Sequence, residues 1–189
     1  MRIFTFLIAL LLFQLNPSTA LSQTTFSEQS ASAGIEFVIN SINVFGGGAA
    51  FFDYNNDGNL DLYVTGGNTR HDILFQGDGA GNFVDVTEIT QLGFTADLVT
   101  FGVTTGDVDN DGDRDIFLCT GIGSKSGLFI NNGDGTFTDH SSSAGFNDSE
   151  RPKHGAVFGD FNLDGFLDIY VASWVDKFKL VKNAANETI

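Results

Sequence analysis

Asp107-Val108-Asp109-Asn110-Asp111-Gly112-Asp113-Arg114-Asp115 is the stretch that decides how this chain is read. It recurs as Asp53-Tyr54-Asn55-Asn56-Asp57-Gly58-Asn59-Leu60-Asp61 and as Asp160-Phe161-Asn162-Leu163-Asp164-Gly165-Phe166-Leu167-Asp168, with starts 54 and then 53 residues apart. A fixed period of this length marks a repeat architecture, in which one supersecondary unit is copied along the chain. Each loop follows small and apolar residues (Gly48-Ala-Ala-Phe-Phe52, Gly102-Val-Thr-Thr-Gly106, Gly155-Ala-Val-Phe-Gly159). Each leads into a strand-like run: Leu62-Tyr-Val64, Ile116-Phe-Leu118, Ile169-Tyr-Val171.

Working outward, Ile73-Leu-Phe75 matches Gly127-Leu-Phe129 and Phe178-Lys-Leu180 as a further strand. In the first two copies a glycine- and aspartate-rich turn (Gly77 to Gly81, Asn131 to Gly135) then leads to Phe83-Val-Asp-Val86 and Phe137-Thr-Asp139. One repeat is thus four short strands joined by turns, with no helical periodicity of useful length. The second strands are apolar at consecutive positions, so both of their faces want burial, whereas an open antiparallel sheet would leave one face wet. Four-stranded sheets stacked between like neighbours meet this demand. The predicted fold is therefore all-β, about three β-propeller blades of four antiparallel strands. A β-sandwich would need no repeat at fixed phase.

The ends of the chain share this phase. Thr25-Phe26 and Ser30 to Gly34 resemble Thr136-Phe137 and Ser141 to Gly145, so residues 21–189 are expected to begin on the fourth strand of a repeat. Leu180 to Ile189 aligns with Leu128 to Phe137, placing the end where a fourth strand should begin. Three blades fall short of the usual four to eight. Either the chain is a piece of a longer propeller, or several copies complete a ring, and exposed blade edges lead us to expect self-association.

Residues 1–20 stand apart. Arg2, the apolar run Ile3 to Leu15, and Ser18-Thr19-Ala20 read as a secretory signal peptide cut after Ala20. The run is too short for a membrane-spanning helix, which needs about 20 apolar residues. Membrane insertion is not expected. Removing this segment takes away Arg2 alone, leaving 8 basic against 24 acidic side chains, a formal charge of −16. Nucleic acid, whose affinity rests on lysine and arginine, is excluded as a partner. Twenty phenylalanines supply too much apolar surface for a disordered acidic chain. Cys119, the only cysteine, rules out an intrachain disulfide and lies in an apolar strand, where burial is expected.

Ten of the 24 acidic residues sit at loop positions 1, 3, 5 and 9, which turns the charge into a statement about cations. A hard divalent cation takes six to eight oxygen ligands. Side-chain oxygens at positions 1, 3, 5 and 9 come from Asp53, Asn55, Asp57 and Asp61; Asp107, Asp109, Asp111 and Asp115; and Asp160, Asn162, Asp164 and Asp168. Position 7 (Asn59, Asp113, Phe166) would offer its backbone carbonyl, which is why its side chain can vary. Glycine at position 6 permits the sharp turn. An EF-hand is rejected, because its position-12 glutamate is replaced by Val64, Leu118 and Val171 and strands follow. Up to three Ca²⁺ ions are expected, since magnesium keeps several waters and suits fewer protein ligands. The loops contain no histidine or cysteine for a softer metal. The alternative reading of one such loop, that aspartate, asparagine and glycine are only turn formers, weakens with each copy.

At these residues the chain resembles the FG-GAP/VCBS repeat family of integrin α subunits and many secreted bacterial proteins. The resemblance rests on Thr105-Gly106-Asp107 to Gly112 and Phe158-Gly159-Asp160 to Gly165. With Leu128-Phe-Ile-Asn131-Asn-Gly-Asp-Gly-Thr-Phe137 it is most similar to a cartilage-acidic-protein-like branch. The resemblance implies a seven-bladed calcium-binding propeller, secreted and used in adhesion or ligand binding, with an extracellular protein or carbohydrate partner. A second reading is a non-catalytic accessory segment of a secreted carbohydrate-active enzyme; a third is a truncated fragment without its own function. No enzyme is expected within the chain. His71, His140 and His154 fall at three different phases of the repeat, and Ser141-Ser-Ser143 lacks a nucleophile's context. Trp174 and Tyr170 read as blade-packing residues, with a sugar-binding surface as the alternative. Asn147-Asp-Ser149 and Asn186-Glu-Thr188 are glycosylation sequons in a host that glycosylates exported proteins.

Overall fold

The computed structural model describes residues 26–37, 47–67, 70–93, 95, 98–146, 151–173 and 179–181. The expected signal peptide, both sequons and Trp174 lie outside them. Among the described residues, eleven strands make three antiparallel sheets in sequence order. The first holds β1 (Ala49–Phe52), β2 (Asp61–Val64), β3 (Ile73–Gly77) and β4 (Phe83–Asp85). The second holds β5 (Thr100–Gly106), β6 (Asp115–Thr120), β7 (Gly127–Asn131) and β8 (Phe137–Asp139). The third holds β9 (Lys153–Gly159), β10 (Asp168–Ser173) and β11 (Lys179–Val181). No α-helix occurs among the described residues. These sheets are the blades anticipated from the repeat, in matching register: Leu62 pairs with Phe75, Ile116 with Phe129 and Ile169 with Val181. That last pair corrects the third strand of the last blade by one residue, from Phe178–Leu180 to Lys179–Val181, because the hairpin before it is one residue shorter than in the other two blades.

Alternation along the second strands explains why they are apolar throughout. Ile116 and Leu118 join Phe52, Tyr63 and Leu74 of the first blade in one core cluster. Phe117 and Cys119, on the opposite face of β6, join Ile169, Phe158 and Val171 of the third. The middle blade is therefore buried on both sides. Cys119 is buried as expected, and burial pushes its thiol up to about 12.

Glycine fixes how closely the first strands approach. Gly48 and Gly102, five residues before their loops, have no room for a side chain: a Cβ on Gly48 would lie 2.9 Å from Gly102 Cα, and one on Gly102 2.5 Å from the His154 carbonyl oxygen. The third member of this set, Gly155, faces open space. The connection between blades is repeated as closely as the loops. Thr90 N–H bonds Val86 O and Ala144 N–H bonds His140 O, just as Ala33 N–H bonds Gln29 O. Phe83 N–H then bonds Ala33 O, as Phe137 N–H bonds Thr90 O. Residues 29–35 thus meet the first blade as residues 86–92 meet the second, which matches the phase expected from sequence. The strand expected at Thr25-Phe26 is corrected in its described half. Phe26 belongs to no strand and is exposed, because no described strand lies beside it to supply the ladder.

Candidate metal centre

Each nine-residue loop joins the first strand of a blade to the second, and its carboxylates organise the turn through backbone N–H groups. Position 1 accepts from positions 5 and 6: Asp107 Oδ1 from Asp111 N–H and Oδ2 from Gly112 N–H, both at 3.1 Å. Asp53 and Asp160 repeat the pattern with Asp57 and Gly58, and with Asp164 and Gly165. Position 5 accepts from position 7, as in Asp57 to Asn59 (2.8 Å), Asp111 to Asp113 (2.9 Å) and Asp164 to Phe166 (2.9 Å). The glycines at position 6 are left-handed, with φ of 85°, 97° and 89°, a conformation open to a residue without Cβ.

Position 9 is the deepest. Asp115 is fully buried, with Oδ2 accepting from Val108 N–H and Oδ1 from Asn131 N–H at the end of β7, both at 2.8 Å. Asp61 does the same with Tyr54 and Gly77 N–H. In the third blade Asp168 Oδ2 accepts from Phe161 N–H, while the buried Oδ1 has no partner among the described residues. One aspartate thus closes its loop and, in the first two blades, pins it to the third strand.

The structure brings Asp107, Asp109 and Asp115 together, with one carboxylate oxygen from each lying within 4.8 Å of the others. That spacing suits oxygen ligands around a single hard cation. In the other two loops position 3 is an asparagine whose amide oxygen accepts from position 5, Asn55 from Asp57 and Asn162 from Asp164, and whose amide nitrogen bonds the same residue's carboxylate. Electrostatics in the second loop reflect the crowding. Burial raises Asp115 to about 6 despite its two N–H donors. Burial and then the Asp111 charge raise Asp109, and burial raises Asp61. Asp57 is lowered, chiefly by the Asn59 N–H. Carboxylates held close and partly desolvated favour a neutralising partner, either a proton or a cation.

Sequence reasoning missed position 4. Asn56, Asn110 and Leu163 all have left-handed backbones, with φ of 57°, 62° and 60°. Asparagine tolerates that region better than leucine does, and its presence in two copies was the available signal. Both asparagines reach the following loop. Asn56 Nδ2 donates to Asp113 Oδ1, and Asn110 Nδ2 donates to the Gly165 carbonyl at 2.9 Å. Position 7 side chains lie against the later turn of their own blade, Asn59 beside Gly79 and Asp113 beside Gly133. Phe166 is partly exposed. Beneath these contacts, Asn131 Nδ2 donates to the Tyr54 carbonyl at 2.8 Å, a buried tie between the first two blades. His154 is a strand residue of β9 stacked on Phe101, ring centroids 4.9 Å apart.

Blade-like sheets in series, two of four strands and one of three among the described residues, each with an acidic nine-residue loop between its first two strands, define a repeat protein of the β-propeller class. The chain belongs to the FG-GAP-like repeat family: that family's model matches residues 53–118 and again 107–171, more than half of the chain. It is 28% identical to human cartilage acidic protein 1 over 156 residues, 74% of this chain and 23% of that protein. Over 73 residues it is 40% identical to the Xenopus tropicalis protein of the same name and 38% identical to the Mus musculus one, covering 39% of this chain and 11% of each. The chain spans less than a quarter of the length of the curated relatives it matches.

Proposed function

We propose that this chain is a calcium-binding β-propeller repeat module that works outside the cell, exported by residues 1–20, with residues 21–189 presenting blades for binding or adhesion to a protein or carbohydrate. The observation that carries it is the convergence of Asp107, Asp109 and Asp115 inside a loop whose backbone pattern is repeated at Asp53–Asp61 and Asp160–Asp168. Asp53, Asn55, Asp57 and Asp61, and Asp160, Asn162, Asp164 and Asp168, would hold ions in the same way. The position 7 carbonyls of Asn59, Asp113 and Phe166 would add a ligand in each loop. Bound calcium would neutralise each loop and fasten the first, second and third strands of its blade. Membership of the FG-GAP-like repeat family and the likeness to cartilage acidic protein 1 favour a repeat module over an enzyme and an extracellular setting.

A thermal melt in excess EGTA, in 10 mM calcium and in 10 mM magnesium tests the metal reading. Extracellular calcium modules bind at about 10⁻⁴ to 10⁻³ M. With a Kd of about 1 mM, 10 mM calcium stabilises by about 1.4 kcal/mol per loop, or about 4 kcal/mol for three. That corresponds to a rise in Tm of about 10 °C. A cooperative melt that calcium leaves unmoved would reduce the aspartates to turn formers.

A further inference from the structure

We infer that Asn56 and Asn110 couple successive loops, so that filling one loop with calcium raises the calcium affinity of its neighbour. This rests on the calcium reading above and concerns how the three sites are regulated. The two contacts are the same device used twice. In each, the residue between ligand positions 3 and 5 is left-handed and sends its amide nitrogen to position 6 or 7 of the next loop. Each lands on a residue already bonded to a ligand carboxylate of that loop. Asp113 N–H donates to Asp111 Oδ1 at 2.9 Å, and Gly165 N–H donates to Asp160 Oδ2 at 3.0 Å.

Calcium held by Asn55 and Asp57 would fix the peptide that carries Asn56, and its amide would then hold Asp113 in the ligand geometry of the second loop. The second loop does the same for the third through Asn110. A site ordered in advance loses less entropy when its own ion arrives, and such coupling is reciprocal. The tie from Asn131 to Tyr54 is buried and involves no ligand residue, so the exposed asparagines are the part that can respond. In the third loop position 4 is Leu163, with no side-chain amide to pass on and 86% of its surface exposed.

The test is calcium titration of the full chain by isothermal calorimetry, after stripping with EGTA and dialysis. Wild type is compared with Asn56→Gly, Asn110→Gly and the double variant N56G/N110G. Glycine at 56 and 110 keeps the left-handed backbone while removing the amide. A coupling at the low end of the usual range, about 5-fold per neighbour, gives a Hill coefficient above one. We expect N56G and N110G each to lower it and the double variant to bring it near one, with the number of ions unchanged. A wild-type coefficient of one or less, or one that N56G and N110G leave alone, overturns the coupling and spares the calcium sites. No calcium uptake by wild type overturns both.

Discussion

Asp72 supports the sharpest stability prediction, because its surroundings define two substitutions with opposite outcomes. It lies outside the metal loops, just before β3, and is almost fully buried. Its carboxylate accepts from the Tyr63 hydroxyl (2.8 Å) and the Gly66 N–H (2.7 Å) of its own blade, and from the Thr100 hydroxyl (2.5 Å) at the start of β5 in the next. Asp72→Ala strands three donors in a dry site. Each buried unsatisfied group costs about 1–3 kcal/mol, so with some relaxation the loss is roughly 3–6 kcal/mol, a large part of a domain's net stability. Asp72→Asn keeps the contacts: the amide oxygen can accept from Gly66 and Thr100, and the amide nitrogen can donate to Tyr63 once that hydroxyl turns. It also removes a desolvated charge.

The sign of the pH effect follows from the direction of the shift. Burial outweighs the donors and raises Asp72 above the ordinary carboxylate value of 3.8. An acid with a raised folded pKa stabilises the fold fully below its unfolded pKa, and that contribution is lost as pH rises through the folded value. The asparagine variant carries no such loss, so its stability relative to wild type should improve between about pH 4 and pH 7. Urea unfolding of the three proteins at several pH values in constant EGTA measures this. If D72N proves as damaging as D72A at pH 7, the three donors favour the ionised form more than burial opposes it, and burial does not govern this site.

Other expectations are simpler. Phe117→Ala empties a fully buried site between the second and third blades, where the ring packs edge-on against Phe146 at 4.8 Å and Phe158 at 6.3 Å; a loss of about 3–5 kcal/mol is expected in chemical denaturation. Gly112→Ala meets no neighbouring atom but must hold φ near 97°, so it should cost about 1–2 kcal/mol in the same assay, through the backbone alone. Phe161 and Leu163, 72% and 86% exposed on the third blade, should drive self-association of the kind expected at unpaired blade surfaces. Sedimentation of F161S/L163S should then be less concentration-dependent than that of wild type, and identical profiles would remove these residues from any such contact.

Features carried by every copy were legible in the sequence, and features carried by one were not. The nine-residue spacing placed the loops, and runs such as Ile116 to Leu118 announced strands buried on both faces. Gly48 and Gly102 were visible as small residues, although their reason, the close approach of neighbouring first strands, needed coordinates. Asp72 left no periodic mark, because its counterpart in the second copy is Ser126; an acid before a strand looks like a turn residue until tertiary packing buries it. The clasp from Asn56 to Asp113 spans 57 residues and joins side chains that each read as ordinary loop chemistry. The left-handed backbone at Leu163 was illegible for a different reason, since leucine is a poor marker of a conformation that the loop imposes on it.

The repeat also constrains what calcium, bound as proposed, could be for. Tyr63, Phe117 and Tyr170 occupy one position in three blades, and Tyr63 and Phe117 face the following blade. The first two are fully buried by that neighbour, whereas Tyr170 is only half-buried. Stability in such an array comes from nearest-neighbour faces as much as from each blade alone. The acidic loops add links inside a blade at position 9, where Asp61 and Asp115 grip the end of the third strand, and between blades at position 4, through Asn56 and Asn110. A cation that organises a loop therefore acts along both directions in which the array is held together. Calcium that only triggered a response would need a second conformation to select, and these loops already hold their turns through the carboxylates themselves. The arrangement favours a metal that stiffens a fold already present.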